Sequence, residues 1–115
     1  MNEKTFLQLI TDGKVDEAIA VYDKTQKEFP GWKLFSEGTV NRMGYTFLQK
    51  KDYNNAIKIF GLNVKAYPQS GNVYDSLGEA LLDAGNKKDA ILNYQKSLEI
   101  DPSNDNARKV LKTLQ

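Results

Sequence analysis

A spacing of 34 residues constrains this chain more than any other feature. Gly44 and Gly78, Leu48 and Leu82, Ala56 and Ala90, Ile57 and Ile91, and Pro68 and Pro102 are identical pairs at that offset. Met43/Leu77, Phe47/Leu81, Phe60/Tyr94 and Val64/Leu98 match in kind at the same offset. The matches fall on glycine, alanine, proline and large apolar residues, which control backbone geometry and packing, and not on surface positions. A fixed period of this length marks a stack of like units, each burying its apolar face against a neighbour.

Within each unit the periodicity is helical. Val73, Tyr74, Leu77, Ala80, Leu81 and Ala84 recur at helix spacing, Gly85-Asn86 interrupts them, and Ala90, Ile91, Tyr94 and Leu98 form a second apolar stripe. Pro102 ends that stripe, because the residue before a proline is pushed out of the α region. Residues 37–70 read the same way: a helix carrying Val40, Met43 and Phe47, a turn near Lys51-Asp52, and a helix from Ala56 to Val64. Ser36, Ser70 and Asn104 keep the beat as residues able to cap the helix that follows each. The first third is a degenerate copy. Ala18, Ile19, Tyr22 and Pro30 repeat the order of Ala56, Ile57, Phe60 and Pro68 at an offset of 38, which places four extra residues in the connection around Gly31 to Phe35. Ala107, Val110, Leu111 and Leu114 form a last stripe opposite Arg108, Lys109 and Lys112, as a terminal capping helix requires.

Composition narrows the chemistry. The 115 residues contain no histidine and no cysteine, which removes thiol nucleophiles, Ser–His–Asp arrangements and nearly every zinc, haem or iron–sulfur site. No metal or cofactor is expected. A net charge of +1 argues against a nucleic-acid binder. The longest apolar run, Ala18 to Tyr22, is too short to span a bilayer. Met1 is followed by Asn2, Glu3 and Lys4, with no signal-peptide pattern, so the sequence leaves the compartment open. Asp75-Ser76-Leu77-Gly78 ends like a nucleophile elbow, but Tyr74 stands where the first glycine is needed and the serine falls in mid-helix. No Ser-x-x-Lys occurs. The chain is expected not to be an enzyme.

The 34-residue period, two helices per unit, and the placement of Tyr74, Leu77-Gly78, Leu81, Ala90, Tyr94 and Asp101-Pro102 resemble the tetratricopeptide repeat (TPR). Met43-Gly44, Phe47, Ala56, Phe60 and Pro68 carry the same resemblance in the preceding unit. It implies an all-α, right-handed α-solenoid forming one domain over residues 1–115. The units would be 1–35 (degenerate), 36–70 and 71–104, with a capping helix over 104–115. Gly78 and Ala90 are expected to let the helices of one unit approach closely, and Tyr74, Leu81 and Tyr94 to fill the space between units.

The resemblance further implies a non-catalytic module that binds a protein or peptide partner in a concave groove. The groove-facing places are held by Asn41, Arg42, Tyr45, Leu48 and Gln49 in the middle unit, and by Asn72, Asp75, Glu79, Leu82 and Asp83 in the third. Tyr45, Leu48 and Leu82 supply apolar contacts beside an acidic strip of Asp75, Glu79 and Asp83. The family's carboxylate clamp would place Glu3, Leu7, Arg42, Asn72 and Ser76 around a C-terminal carboxylate; only Arg42 is positive, so that pattern is absent. Residues 37–70 are net +3 and residues 71–104 net −3, which predicts steering of a dipolar partner, head-to-tail self-association, or pairing between stacked units. Phe29, Trp32, Leu34 and Phe35 make an aromatic-apolar cluster in the long connection. Phe29, Trp32 and Phe35 are its candidate docking residues, for another domain, a partner or weak self-association of an otherwise monomeric chain.

A narrower resemblance rests on Ser36-Glu37-Gly38, Asn41-Arg42-Met43-Gly44-Tyr45, Asn63-Val64, Tyr67-Pro68 and Asn72 to Ala80. This wording is similar to C-terminal TPR tails of bacterial serine hydrolases, both esterase-like and β-lactamase-like. It implies, as the alternative, an accessory tail whose catalytic domain lies outside this chain. A native start codon at Met1 would exclude that alternative.

Overall fold

The computed structural model describes residues 1–115 as seven helices and no strand. They are α1 (Glu3–Thr11), α2 (Val15–Glu28), α3 (Glu37–Gln49), α4 (Tyr53–Ala66), α5 (Gly71–Asp83), α6 (Lys87–Ile100) and α7 (Asp105–Leu114). Consecutive helices pair as hairpins that stack into an elongated array of 42 × 29 × 19 Å.

Each hairpin turns through a left-handed residue at the same place in its unit. These are Gly13 (φ +80°), Lys51 (φ +62°) and Gly85 (φ +88°). Glycine adopts this conformation freely, whereas a side chain brings its Cβ against the following carbonyl. Lys51 is therefore strained where its two counterparts are not. Lys51→Gly is expected to raise the unfolding free energy by about 1 kcal/mol, read by urea denaturation.

The hairpin crossings explain the repeated glycines. An added Cβ at Gly44 would meet the Phe60 ring at 2.4 Å, and one at Gly78 would meet the Tyr94 ring at 2.9 Å. Each aromatic thus lies flat against a helix backbone that has no side chain there. Tyr94 consequently fills a space inside its own hairpin, where the periodic pattern had placed it between units. It also packs with Ala107 and Leu111 of α7.

The first hairpin is built differently. At the offset of 38, Phe6 occupies the place held by Gly44 and Gly78, and α1 packs on α2 much less closely than α5 on α6. Phe6 is buried and stacks on Phe35, with centroids 5.4 Å apart and rings nearly parallel. Phe35 also meets Tyr22 and Tyr67. The longer connection therefore delivers Leu34 and Phe35 as a wedge into the gap that Phe6 opens. The Tyr67 hydroxyl donates to the Phe35 carbonyl, and the Lys33 ammonium donates to the Ala66 carbonyl at the end of α4. The wedge corrects one expectation. Phe35 is only 2% exposed and belongs to the core, so the docking cluster reduces to Phe29 and Trp32.

The helix starts are also subtler than the repeating Ser36, Ser70 and Asn104 suggest. Asn104 caps α7 by accepting from the Ala107 amide at 3.1 Å. Ser36 and Ser70 stand at N-cap positions without capping. Their hydroxyls donate instead to Thr39 Oγ1 and to the Glu37 carboxylate. A second repeating device anchors these helix starts without capping their free amides. Asn63 Nδ2 donates to the Glu37 carbonyl and Ser97 Oγ to the Gly71 carbonyl, so one polar residue of the second helix holds the first residue of its hairpin partner.

Candidate functional site

The ten residues proposed for the groove lie on α3 and α5, and neighbouring units bind many of them together. The Tyr45 hydroxyl donates to Glu79 Oε1 at 2.9 Å, and Ser76 Oγ donates to Asn41 Oδ1 at 2.7 Å. Asp75 accepts from Asn104 Nδ2 at 2.8 Å and from Asn106 Nδ2 at 3.2 Å. Four hydrogen bonds therefore run α3–α5–α7 and hold these helices in register. Arg42, Gln49, Asn72 and Asp83 are exposed beside the ladder. Arg42 makes one long contact to Thr39 Oγ1 at 3.3 Å and pairs with no carboxylate.

Two expectations need correction. Leu48 is only 8% exposed and packs with Ala56, Phe60 and Ala80, so it is core and offers a ligand nothing. Tyr45 is half-buried, with its ring edge-on to Phe60 at 5.0 Å. It joins two units and does not point freely outward. Leu82 is half-buried against the cluster formed by Leu81, Ala90 and Tyr94. Asn104 and Asn106, which orient Asp75, were missed as site residues. The period itself points to Asn106, because Asn72 lies 34 residues before it.

The electrostatics follow from this arrangement. Burial pushes the Tyr45 phenol up to about 12, with the Glu79 and Asp75 carboxylates adding to the rise against the Ser76 hydrogen bond. Tyr94 is raised by burial first and then by the negative field of Asp75, Glu79 and Asp83. Burial also raises Tyr22 and Tyr67. A phenol whose folded pKa lies above its unfolded value of 10.0 holds its proton longer in the native state. The stability it contributes is complete below that value and falls as pH rises through about 12 for Tyr45. Alkaline titration followed by circular dichroism should show this decline, and Tyr45→Phe should make it shallower. At neutral pH that variant is expected to cost about 1 kcal/mol through the lost hydrogen bond.

The opposite net charges of the second and third units are not discharged by ion pairs between them. The two inter-unit pairs are Lys58–Asp16 at 2.8 Å and Lys65–Asp23 at 3.5 Å, both joining α4 to α2. Lys96–Glu99 and Arg108–Asp105 are local. The pairing expected between residues 37–70 and 71–104 is therefore absent, and Arg42 and Asp83 keep their charges for solvent or a ligand.

Family comparisons agree with this architecture. The tetratricopeptide repeat models match residues 39–70 and 71–104. The chain belongs to the tetratricopeptide repeat family. It is 37% identical over 65 residues to the small glutamine-rich tetratricopeptide repeat-containing protein 2 of Mycosarcoma maydis, covering 56% of this chain and 18% of that protein. It is 35% identical over 99 residues to heat shock protein STI1 of Saccharomyces cerevisiae, covering 84% of this chain and 16% of that protein. The chain thus spans less than a fifth of the curated relatives it matches. Among solved structures, the first TPR of Spaghetti (RPAP3) bound to the HSP90 peptide SRMEEVD superposes with a TM-score of 0.64 at 21% identity, covering 97% of this chain and 86% of that one. MamA from Desulfovibrio magneticus RS-1 gives a TM-score of 0.63 at 24% identity, with 97% and 61% covered. These likenesses define the fold: an all-α solenoid of TPR hairpins.

Proposed function

We propose that this chain is a non-catalytic interaction module that binds an extended peptide or partner segment along α3 and α5. The observation that carries the reading is the ladder Tyr45–Glu79, Asn41–Ser76 and Asp75–Asn104. It fixes the inner helices in register and leaves Arg42, Gln49, Asn72 and Asp83 exposed beside it. A preorganised polar strip lowers the ordering cost of binding. A TPR of RPAP3 bound to an HSP90 peptide supports a peptide as the partner class. Here, however, Glu3 and Leu7 stand where a carboxylate clamp needs donors. SRMEEVD is accordingly expected to give no saturable binding by isothermal titration.

Peptides selected from a random library against the intact chain provide the direct test. Their affinity should fall at least about tenfold in Arg42→Glu and Asn72→Ala, the loss of one charged or polar anchor being worth about 1.4 kcal/mol or more. Selected peptides that bind both variants as tightly as the parent would overturn the assignment. These positions are preferable to Tyr45 and Leu48, whose removal damages packing.

The accessory-tail reading is supported by the residue wording of the second and third units and by the exposed Phe29 and Trp32 on the loosely paired first hairpin. Purified esterase-like or β-lactamase-like domains encoded next to such tails should then bind this chain, and Trp32→Ala should weaken that binding.

A further inference from the structure

Two surfaces outside the α3–α5 strip complement one another. The first is a tip after α2. Phe29 and Trp32 are 62% and 59% exposed, the only large aromatic side chains left so open. The tip is nonetheless held in shape. Trp32 N–H donates to the Phe29 carbonyl, Gln26 Nε2 donates to the Trp32 carbonyl at 2.7 Å, and Gln26 Oε1 accepts from the Gly31 amide at 3.1 Å. Phe29 and Trp32 therefore sit on an ordered loop beside the exposed carboxylate of Glu28, with Met1 and Thr25 alongside. Preorganised aromatics of this kind anchor interfaces at low entropic cost.

The second surface is a cleft of about 260 Å³ between α1 and α3, lined by Ile10, Thr11, Met43, Thr46, Phe47 and Lys50. It exists because of the altered first hairpin. α4 lies directly against α5, but α2 makes no comparable contact with α3. Leu81 of α5 is buried, whereas its counterpart Phe47 is left half-open, with Met43 half-open beside it. Both threonine hydroxyls are turned back onto their own helices, Thr11 to the Leu7 carbonyl and Thr46 to the Arg42 carbonyl. Lys50 is then the single charge on an otherwise apolar lining. Neither Lys50 nor Glu28 belongs to any ion pair of the chain.

We propose that the chain associates head to tail, the Phe29–Trp32 tip of one copy seating in the cleft of the next with Glu28 facing Lys50. The tip offers apolar groups beside an anion, and the cleft an apolar floor beside a cation. A chain cannot fill its own cleft. The cleft lies at the hairpin-turn ends of α1 and α3, whereas the tip follows the 14 residues of α2, roughly 20 Å away at the other end. The contact is heterologous, so it adds copies in one direction. An interface of one small tip is at the weak end of the size range, with an expected Kd of about 0.1–1 mM.

Sedimentation and the emission of Trp32, the one tryptophan, test the proposal on the intact chain. Mean mass should rise above 13.0 kDa with concentration as Trp32 emission shifts to the blue. Glu28→Lys and Lys50→Glu should each weaken association at least about fivefold, Trp32→Ala should abolish it, and Glu28→Lys combined with Lys50→Glu should restore it. All three positions are exposed, and circular dichroism should show unchanged helicity. A mass of 13.0 kDa at every concentration up to about 1 mM would overturn the proposal. So would single variants that associate like the parent, or a double variant that fails to recover. Acidic peptide bound in the cleft of a strictly monomeric chain would also overturn it, and would assign the cleft to a foreign segment. None of these residues belongs to the α3–α5 strip, so loss of association leaves the peptide-binding reading intact.

Discussion

Gly44→Ala is expected to lower the unfolding free energy by about 2 kcal/mol: overpacking at the severe end costs about 3, and the better helix propensity of alanine returns about 1. The added methyl would sit 2.4–2.8 Å from three atoms of the Phe60 ring. That ring is fully buried among Leu48, Ala56 and Ala80 and edge-on to Tyr45, so it has nowhere to swing. Gly78→Ala meets Tyr94 at 2.9–3.2 Å, where a shift of a few tenths of an ångström relieves the contact. Its overpacking cost of about 1 kcal/mol is cancelled by propensity, and its stability should stay near that of the parent. Urea unfolding of the two variants side by side checks the contrast. Gly44→Ala with Phe60→Leu should recover part of the loss. Equal stability of the two single variants would show that the crossings are alike and that Phe60 yields.

Asn63→Asp is expected to cost about 3 kcal/mol. Asn63 is fully buried on α4; its Nδ2 donates to the Glu37 carbonyl at 3.0 Å, and its Oδ1 has no partner. An ionised carboxylate there would face a carbonyl oxygen with no donor to satisfy it. The introduced carboxyl should keep its proton in the folded state, so its folded pKa lies above the unfolded value. The deficit is then smallest below about pH 4, where both states are protonated, and grows as pH rises toward neutrality. Denaturation at acid and neutral pH measures this slope directly. Asn63→Ser should be milder, since Ser97 performs the same task for Gly71 with a hydroxyl. A variant as stable as the parent at neutral pH would mean that the site admits water.

Phe60 and Asn63 illustrate how unevenly the architecture was legible. The offset marks Gly44 as equivalent to Gly78 and Phe60 to Tyr94, but it does not place each ring over its glycine; that contact belongs to the packing, which moves Tyr94 from between units into its own hairpin. Asn63 carries no such mark. Its counterparts in the period are Thr25 and Ser97, three different side chains that each donate to a backbone carbonyl. Donor chemistry persists where residue identity does not, so a search for repeated letters passes over it. Leu48 misled for the opposite reason. It is identical to Leu82 at the offset, yet α5 covers Leu48 through Ala80, whereas Leu82, on α5 itself, stays half-open beside the α6–α7 cluster.

The sequence by itself determined the period, the helical hairpins, their small-residue crossings and the absence of histidine and cysteine chemistry. These are local properties: a helix turn, a small residue at a hairpin crossing and a proline stop act within one unit. Tertiary structure decided which polar residues of the strip remain free, because the partners of Tyr45, Ser76 and Asp75 lie 29 to 35 residues away in neighbouring units. It also decided the fate of the first unit. Phe6 in a glycine's place keeps α1 from seating closely on α2, the wedge of Leu34 and Phe35 fills the gap, and Phe29 and Trp32 are left outside. Periodicity states which positions are equivalent, and packing against unlike neighbours then makes them different.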